Sequence, residues 1–388
     1  MLVSAGGVVV LELGQARGWL VSDFLVLGRC WGGIRIQPDV TLAETRLLAR
    51  VMTLKSALAG IPIGGAKIGI AANPSTMNRR QLIEALAEQL RLHGYAGKYI
   101  PGSDIGFSET DLYILRRVLG YRTRHTLHLG ENKLSNTGIA VAESLTASIK
   151  SVEALCMIDG LDTVALQGFG NMGSAAAYML QKQNYRIIAV SNRYYTLVEK
   201  PCIDVEYLLN LLEYGDHCLK IYASTMPRST LLPPDEIFRV EADVHIPGAR
   251  PLAIQGIPRC RVVAPLANYP VSILHTRRLE KESIVVIPDI ISTAGGTIGS
   301  ALSLVGRDFE ESRRVITRMT YLNMVEVVSK ARETGASLME QAYAEAVKRL
   351  NTLRRLGPLG LASYLRKWIV AGDRGILTGL SRVLTYNP

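Results

Sequence analysis

In the run from Thr41 to Gly60, apolar residues fall at Leu42, Leu47, Leu48, Val51, Leu54 and Leu58. That three-and-four spacing predicts a helix with one buried face. Thr41 with Glu44 three residues later has the form of a capping box, and Gly60 supplies a stop. "NRRQLIEALAEQLRLHGY" predicts a second amphipathic helix that also ends at glycine. "SETDLYILRRVLGY" predicts a third, with Ser108 as its N-cap. Ahead of these, "GGVVVLEL" and "DFLVLGRC" read as short strands separated by Gly and Arg. The pattern changes after about residue 137, where "GIAVAESLTASIKSVEAL" predicts a long helix. "DTVALQGFGNMGSAAAYMLQKQNYRIIAVSNR" then reads as strand, glycine turn, helix and strand, a βαβ unit. Further short strands are expected at "ADVHIP", "RCRVVAPLAN" and "SIVVIPDI", followed by a mostly helical C-terminal part. Strands alternating with helices predict an α/β fold with a largely parallel sheet.

A chain of 388 residues is too long for one typical core, so two domains are expected. With 48% hydrophobic and 20% charged residues, the composition is that of a folded globular protein rather than a disordered one. No apolar run reaches the roughly 18 residues needed to span a bilayer. The start, "MLVSAGGVVVLELGQ", lacks basic residues and meets Glu12 early, so it reads as a strand and not as a signal peptide. The cysteines, Cys30, Cys156, Cys202, Cys218 and Cys260, form no CxxC pair, which points to reduced thiols and a cytoplasmic location. The histidines show no HExxH or other ligand spacing, so no metal is expected. The formal net charge of +10 raises nucleic acid as a partner. However, the basic residues are dispersed among glutamates, with no basic tail and no aromatic-interleaved patch, so no nucleic-acid role is expected. The charge suits anionic small molecules, such as a dinucleotide or an amino-acid carboxylate.

Gly168, Gly170 and Gly173 follow the apolar strand Val164-Ala165-Leu166 and open a helix, with Asn171 and Met172 between the last two glycines as further candidate cofactor-binding residues. This is the dinucleotide fingerprint in the context it requires. Its first glycine permits a tight turn, its second lets the backbone approach a pyrophosphate, and its third allows close helix–strand packing. The next strand ends at Ser191-Asn192-Arg193. NAD binding calls for an Asp or Glu there, whereas Arg193 favours the 2′-phosphate of NADP. Asn192 can still bond a ribose hydroxyl, so NAD stays open.

Two lysines in "MTLKSALAGIPIGGAKIGI" also ask for an explanation. Lys55 lies late in the first helix, and Lys67 sits among glycines and apolar residues. A buried lysine has its amine pKa lowered by desolvation, and a second lysine nearby would lower it further. Such an amine can act as a general base near neutral pH. Asp104, in the Pro/Gly-framed loop "YIPGSDIGFSETD", would supply a carboxylate to shuttle protons. Taken singly, Lys55 also fits a lysine snorkelling at a helix end, and Asp104 also fits a helix cap.

Several stretches, in order along the chain, resemble the glutamate/leucine/phenylalanine/valine dehydrogenase family. "WGGIRIQPDVTLAETRLLARVMTLKSALAGIPIGGAKIGI" is similar to its substrate-domain signature. "IPGSDIG" resembles its catalytic aspartate loop, and "LQGFGNMG" its nucleotide fingerprint. "NTGIAVAES", "ANYP" and "IPDIISTAGGTIGS" resemble later motifs. The resemblance implies an α/β substrate domain over about residues 1–135, completed by C-terminal helices over about 346–388. It implies a Rossmann-type dinucleotide-binding domain over about 136–345, with the active site in the cleft between them. It implies that Lys55 holds the substrate α-carboxylate, that Lys67 is the catalytic lysine, and that Asp104 moves protons to and from the amino nitrogen. Thr137 and Asn268 would line the nicotinamide end, and Ser300 would meet the substrate side chain. The implied reaction is reversible oxidative deamination of an L-amino acid with NADP or NAD, by a homo-oligomer.

The chain departs from the family pattern at several points. Trp31 stands where glutamate-specific members carry a lysine that pairs with the side-chain carboxylate, and an indole cannot neutralise that charge. Glutamate therefore remains the family default, with an apolar or aromatic amino acid as the competing substrate. Pro251 and Leu252 replace an acid and an amide in "IPGARPLAI", and "APLAN" and "KLSNTG" are also altered, so Lys133, Ser135 and Asn136 stand in changed positions. These departures leave open a second reading, a catalytically impaired paralogue acting as a regulatory or structural subunit.

Overall fold

The computed structural model describes residues 3–121, 134–156 and 158–357, with 359–361, 364, 365 and 368. The chain divides into two compact units, one formed by Met1–His128 with Ala346–Pro388, the other by Leu129–Glu345. Lys133 lies outside the described residues.

The first unit begins with strands β1 (Val3–Leu13), β2 (Ala16–Val26) and β3 (Cys30–Gln37). Helix α1 (Leu42–Leu58), strand β4 (Gly64–Ala71), helix α2 (Arg79–Leu92), strand β5 (Tyr99–Gly102) and helix α3 (Glu109–Val118) follow. The described strands form one sheet in the order β1-β2-β4-β3-β5. β1 and β2 pair antiparallel from Val3 opposite Val26 to Leu13 opposite Ala16, a longer hairpin than the short strands expected from the local pattern. β2 runs antiparallel to β4, and β3 lies parallel between β4 and β5.

The two faces of this sheet do different work, because successive side chains on a strand point to opposite sides. Ile34 and Ile36 of β3 and Ala66, Ile68 and Ile70 of β4 pack with Leu82, Leu86 and Leu90 of α2 and with Leu112 and Leu115 of α3. The alternate positions are Trp31, Gly33 and Arg35 on β3, and Gly65, Lys67 and Gly69 on β4. α1 lies against that second face. A Cβ on Gly65 would stand 2.2 Å from the Thr53 nitrogen and 2.3 Å from the Ala49 carbonyl oxygen of α1. The Gly65 N–H instead donates to Thr53 Oγ1 at 3.0 Å. The glycines of "GGAKIG" therefore let a helix lie close on the strand that carries Lys67.

Thr41 caps α1 as expected, its hydroxyl accepting the Glu44 N–H at 3.2 Å. The other half of the expected capping box gives way to a charge, since the Glu44 carboxylate receives Arg35 Nη1. Beyond α1, the Arg349 guanidinium donates to the Leu58 carbonyl, and the Trp368 indole N–H donates to the Gly60 carbonyl at 2.9 Å. These bonds satisfy carbonyls that a helix end leaves without intrahelical partners.

The second unit opens with α4 (Asn136–Cys156) and the βαβ unit β6 (Thr163–Gln167), α5 (Asn171–Lys182) and β7 (Arg186–Ser191). Next come β8 (Thr196–Glu199), α6 (Val205–Asn210), α7 (Cys218–Thr225), β9 (Ser229–Leu232), β10 (Val244–Pro247) and β11 (Val262–Val263). The chain continues through α8 (Ile273–Lys281), β12 (Val285–Val286), α9 (Asp289–Ser292), α10 (Gly295–Leu304), α11 (Phe309–Thr334) and α12 (Leu338–Leu356). The described strands form a sheet in the order β12-β11-β10-β6-β7-β8-β9. β12 through β7 are parallel, while β8 and β9 extend the edge antiparallel. That edge was not legible as strand in the sequence: "TLVE" and "STLL" are four-residue pieces that acquire partners only once β7 is in place.

Among the described residues, no helix is long and apolar enough to cross a membrane, and no group of His, Cys, Asp and Glu side chains is arranged to hold a metal ion. Cys30, Cys202, Cys218 and Cys260 are free thiols.

A Gly65→Ala substitution forces α1 away from β4, because its Cβ meets backbone rather than a flexible side chain. A loss of at least about 2 kcal/mol is expected in urea unfolding, at the upper end of overpacking costs. Unchanged stability would show that α1 does not press on this strand.

Candidate active site

Lys67 projects from the middle of β4 toward α1 and is only 3% exposed. Its amine forms an ion pair with Asp104 Oδ2. The strand beside it makes room. A Cβ on Gly33 would lie 2.9 Å from Asp104 Cβ and 3.1 Å from Lys67 Nζ, so any larger residue there would displace the pair.

Asp104 lies between β5 and α3, where a short bridge fixes its backbone: its N–H donates to the Phe107 carbonyl at 3.2 Å, and the Phe107 N–H returns at 3.0 Å. Arg79 Nη1 donates to the Gly106 carbonyl at 2.7 Å and holds the loop from the other side. Ser108, not Asp104, caps α3, with Asp111 completing a capping box.

Two further charges join the pair. Arg35, two positions along β3 from Gly33, donates from Nε to Asp104 Oδ2 at 3.2 Å and from Nη2 to Asp104 Oδ1 at 3.4 Å. Its Nη1 pairs with Glu44 on α1. Lys67, Arg35, Asp104 and Glu44 thus bring two positive and two negative charges together, the cations buried and the carboxylates partly exposed.

The electrostatic consequences differ by residue. Burial opposes ionisation of Asp104, but the adjacent Lys67 and Arg35 charges and the Ile105 N–H outweigh it and hold the carboxyl far below its ordinary range. Burial pushes the Lys67 amine down; Asp104 opposes that shift, and the Arg35 charge adds to it. The Arg35 guanidinium is thus a neighbouring cation that the sequence did not reveal. Lys55 itself is 4% exposed, in the last turn of α1. One residue on, Ser56 Oγ accepts the Trp31 indole N–H at 2.8 Å. Trp31 is buried, and its one polar group is committed to this bond.

Arg35 and Glu44 escaped the sequence reading. The available signal was a charge in "GGIRI" inside an otherwise apolar strand, the same signal that marked Lys67.

In the second unit, the glycines of the β6–α5 turn divide their work. Gly168 has a φ of +92°, which turns the chain sharply. A Cβ on Gly173 would sit 1.8 Å from the Gly168 carbonyl oxygen, so that glycine sets how closely α5 packs. A Cβ on Gly170 would meet no atom within 4 Å, so its backbone faces open space. Gly170 is also the N-cap of α5, and no side chain caps that terminus. Asn171 is exposed and Met172 half-buried in the first turn. An open, side-chain-free approach to uncapped helix N–H groups fits the pyrophosphate of a dinucleotide.

The end of β7 is more occupied than expected. Asn192 Oδ1 accepts the Tyr194 and Tyr195 N–H groups, both at 2.9 Å, and its Nδ2 donates to the Asp216 carbonyl at 2.8 Å. Its amide therefore holds the local turn. Arg193 is paired with Asp216, which lies between α6 and α7. A carboxylate thus does stand beside the strand end, supplied from further along the chain. Thr137 is half-buried in the first turn of α4, near Gly296 of α10. Asn268 is half-buried after β11, next to Tyr269, whose N–H donates to buried Asp289 at 2.7 Å. Ser300 is exposed on α10.

Residues 131–356 match the profile described as Glutamate/Leucine/Phenylalanine/Valine dehydrogenase, and residues 11–121 match that of the Glu/Leu/Phe/Val dehydrogenase dimerisation domain. The NADP(+)-dependent glutamate dehydrogenase of Pyrobaculum calidifontis is 30% identical over 376 residues, 88% of this chain and 86% of the relative. The NAD-specific glutamate dehydrogenase of Staphylococcus aureus is 26% identical over 293 residues, 70% and 67% of the two chains. A hetero-hexameric glutamate dehydrogenase from Thermus thermophilus, solved in a Leu-bound form, superposes with a TM-score of 0.78. At 24% identity over 90% of this chain and 89% of that one, it is similar in fold.

Because the folded pKa of Asp104 lies below that of the unfolded chain, its stabilisation is present above about pH 4 and is lost as pH falls through the folded value. Asp104→Asn leaves Lys67 and Arg35 short of a counter-ion, so a loss of about 3–5 kcal/mol is expected near neutrality. Urea unfolding should show the gap between wild type and variant narrowing toward about pH 3; a constant gap would contradict the ionised assignment. At the glycine turn, Gly170→Ala should leave thermal stability within about 0.5 kcal/mol. Gly173→Ala should lower it by at least about 2 kcal/mol, and equal losses would contradict the division of work between the two glycines.

Proposed function

Because the chain belongs to the glutamate/leucine/phenylalanine/valine dehydrogenase family, we propose that it is an NAD(P)-dependent amino-acid dehydrogenase. It interconverts an L-amino acid and water with the 2-oxo acid and ammonia. The observation that carries this reading is the buried Lys67–Asp104 pair, an amine and a carboxylate held in contact by elements built around them.

In this reading the ionised Asp104 carboxylate accepts a proton from the substrate ammonium and returns it to the departing amine. Lys67, its pKa lowered by burial, takes a proton from the attacking water and stabilises charge that develops on oxygen. Lys55 pairs with the substrate α-carboxylate. A nicotinamide cofactor, when bound, accepts the hydride from the substrate α-carbon. Gly168, Gly170 and Gly173, with the N-terminus of α5, hold its pyrophosphate, and Thr137 and Asn268 face its nicotinamide end. Arg193 attracts a 2′-phosphate and Asp216 beside it opposes one, so both NADP and NAD remain as coenzymes. The names of the relatives include both.

Trp31 directs the substrate reading. Its only donor is committed to Ser56, so this position offers nothing to a side-chain carboxylate. An apolar or aromatic amino acid is therefore favoured over glutamate, with Ser300 near the end of the substrate side chain. The dimerisation domain named in the matching profile supports an oligomer, which this reading takes to be of identical chains. A second reading, a regulatory subunit that binds nucleotide without turnover, draws on Pro251 and exposed Leu252, which carries a φ of +53°. It also draws on the hetero-hexameric assembly named for the Thermus protein.

The test is reductive amination with ammonia, NADPH or NADH, and the 2-oxo acids of glutamate, leucine, phenylalanine and valine. Turnover on an apolar or aromatic 2-oxo acid, abolished by Lys67→Ala with nucleotide binding retained, is expected. Turnover on 2-oxoglutarate alone would overturn the role given to Trp31. Nucleotide binding with no turnover on any acid would favour the regulatory subunit, and undiminished turnover in Lys67→Ala would end the assigned chemistry.

A further inference from the structure

Arg35 is 5% exposed and spends its guanidinium on two carboxylates. One face meets both oxygens of Asp104, at 3.2 and 3.4 Å, and Nη1 meets Glu44. It lies on the same face of β3 as Gly33, whose missing side chain admits the Lys67–Asp104 contact. We propose that Arg35, backed by Glu44, is the positioning residue of that pair: it grips both oxygens of the Asp104 carboxylate, meeting Lys67 at Oδ2, and shares its charge. This rests on the amine chemistry proposed above for Lys67 and Asp104.

A lysine buried against a carboxylate of its own would keep its proton tightly, because each charge stabilises the other. That makes a good structural pair and a poor base. A third charge changes the balance. The guanidinium is never deprotonated, so Arg35 is a permanent competitor for Asp104. It holds the carboxylate ionised and in place while repelling a proton on Lys67. Glu44 works the other way, drawing Arg35 toward α1 and offsetting part of its charge. Opposite Lys67 on β2 stands uncharged Val21, and α1, which packs on this face of the sheet, also carries buried Lys55. The charges that act on Lys67 most strongly are those of Asp104, Arg35 and Glu44.

Arg35 and Glu44 should therefore move Lys67 in opposite directions, which a merely structural pair would not do. The measurement is a pH titration of Lys67 in the full chain labelled with ¹³Cε-lysine, its signal identified by loss in Lys67→Arg. Arg35→Met should shift the Lys67 titration to higher pH and Glu44→Gln to lower pH, with Arg35→Lys close to wild type. In steady-state assays, Arg35→Met should lose roughly 10²-fold in kcat with a smaller change in KM, as expected when a proton-transfer group is misplaced, and Arg35→Lys should regain part of it. Shifts of the same sign in Arg35→Met and Glu44→Gln, or no shift in either, would overturn the proposal. Should Arg35→Met not fold, Glu44→Gln decides alone: a downward shift supports the positioning role, and an unmoved or upward one removes it. Wild type that turns over none of the 2-oxo acids, yet shows the opposed shifts, would sink the dehydrogenase reading and leave the positioning intact.

Discussion

A lysine amine enclosed by protein needs a counter-charge, and the first unit is arranged around supplying one to Lys67. An unpaired ammonium at that depth would cost several kcal/mol even after relaxation. Asp104 answers it from a loop, Arg35 answers Asp104 from β3, and Glu44 answers Arg35 from α1. Each partner comes from a different element, so no segment can shift alone without exposing a buried charge. The Asp104 loop is accordingly anchored by its own bridge to Phe107 and by the Arg79 clamp on Gly106.

Enclosure of these charges depends on the absence of side chains. One face of the sheet is a conventional apolar core of Ile, Leu and Ala against α2 and α3. The other face carries glycines at Gly33, Gly65 and Gly69, where a Cβ would strike Asp104, α1 backbone or Thr45. Their removal from the sheet surface brings α1 down onto β4 and leaves a slot for the Lys67 amine. The same close approach buries Trp31 against Ser56, so the geometry that shelters the charges also occupies the indole's one donor.

The second unit uses glycine in a related way at the β6–α5 turn, with one position turning the chain, one open and one tightly packed. Charge is handled differently there. Arg193 and Asp216 meet near the surface, where an ion pair contributes little to stability and either partner can be drawn away by a ligand. The buried cluster of the first unit is rigid in its pairing. The pair of the second lies open to solvent.

Periodicity alone placed α1, α2, α3 and the βαβ unit, because each buries a face whose spacing is set by the geometry of its own backbone. The glycine fingerprint was legible for the same reason, its turn being local in sequence. Lys67 stood out as a charge in unlikely company and Asp104 by its Pro/Gly-framed loop, and the likeness to a known family ordered them. Their partners could not be read in this way. Glu44 looked like half of a capping box until folding brought Arg35 within reach of it, and Asp216 is far in sequence from the strand end it neutralises. Asn192 looked available for a ribose and is consumed by its own turn. Local pattern records which face of an element is buried; which charge meets which depends on strand order and helix approach, and those are properties of the folded chain.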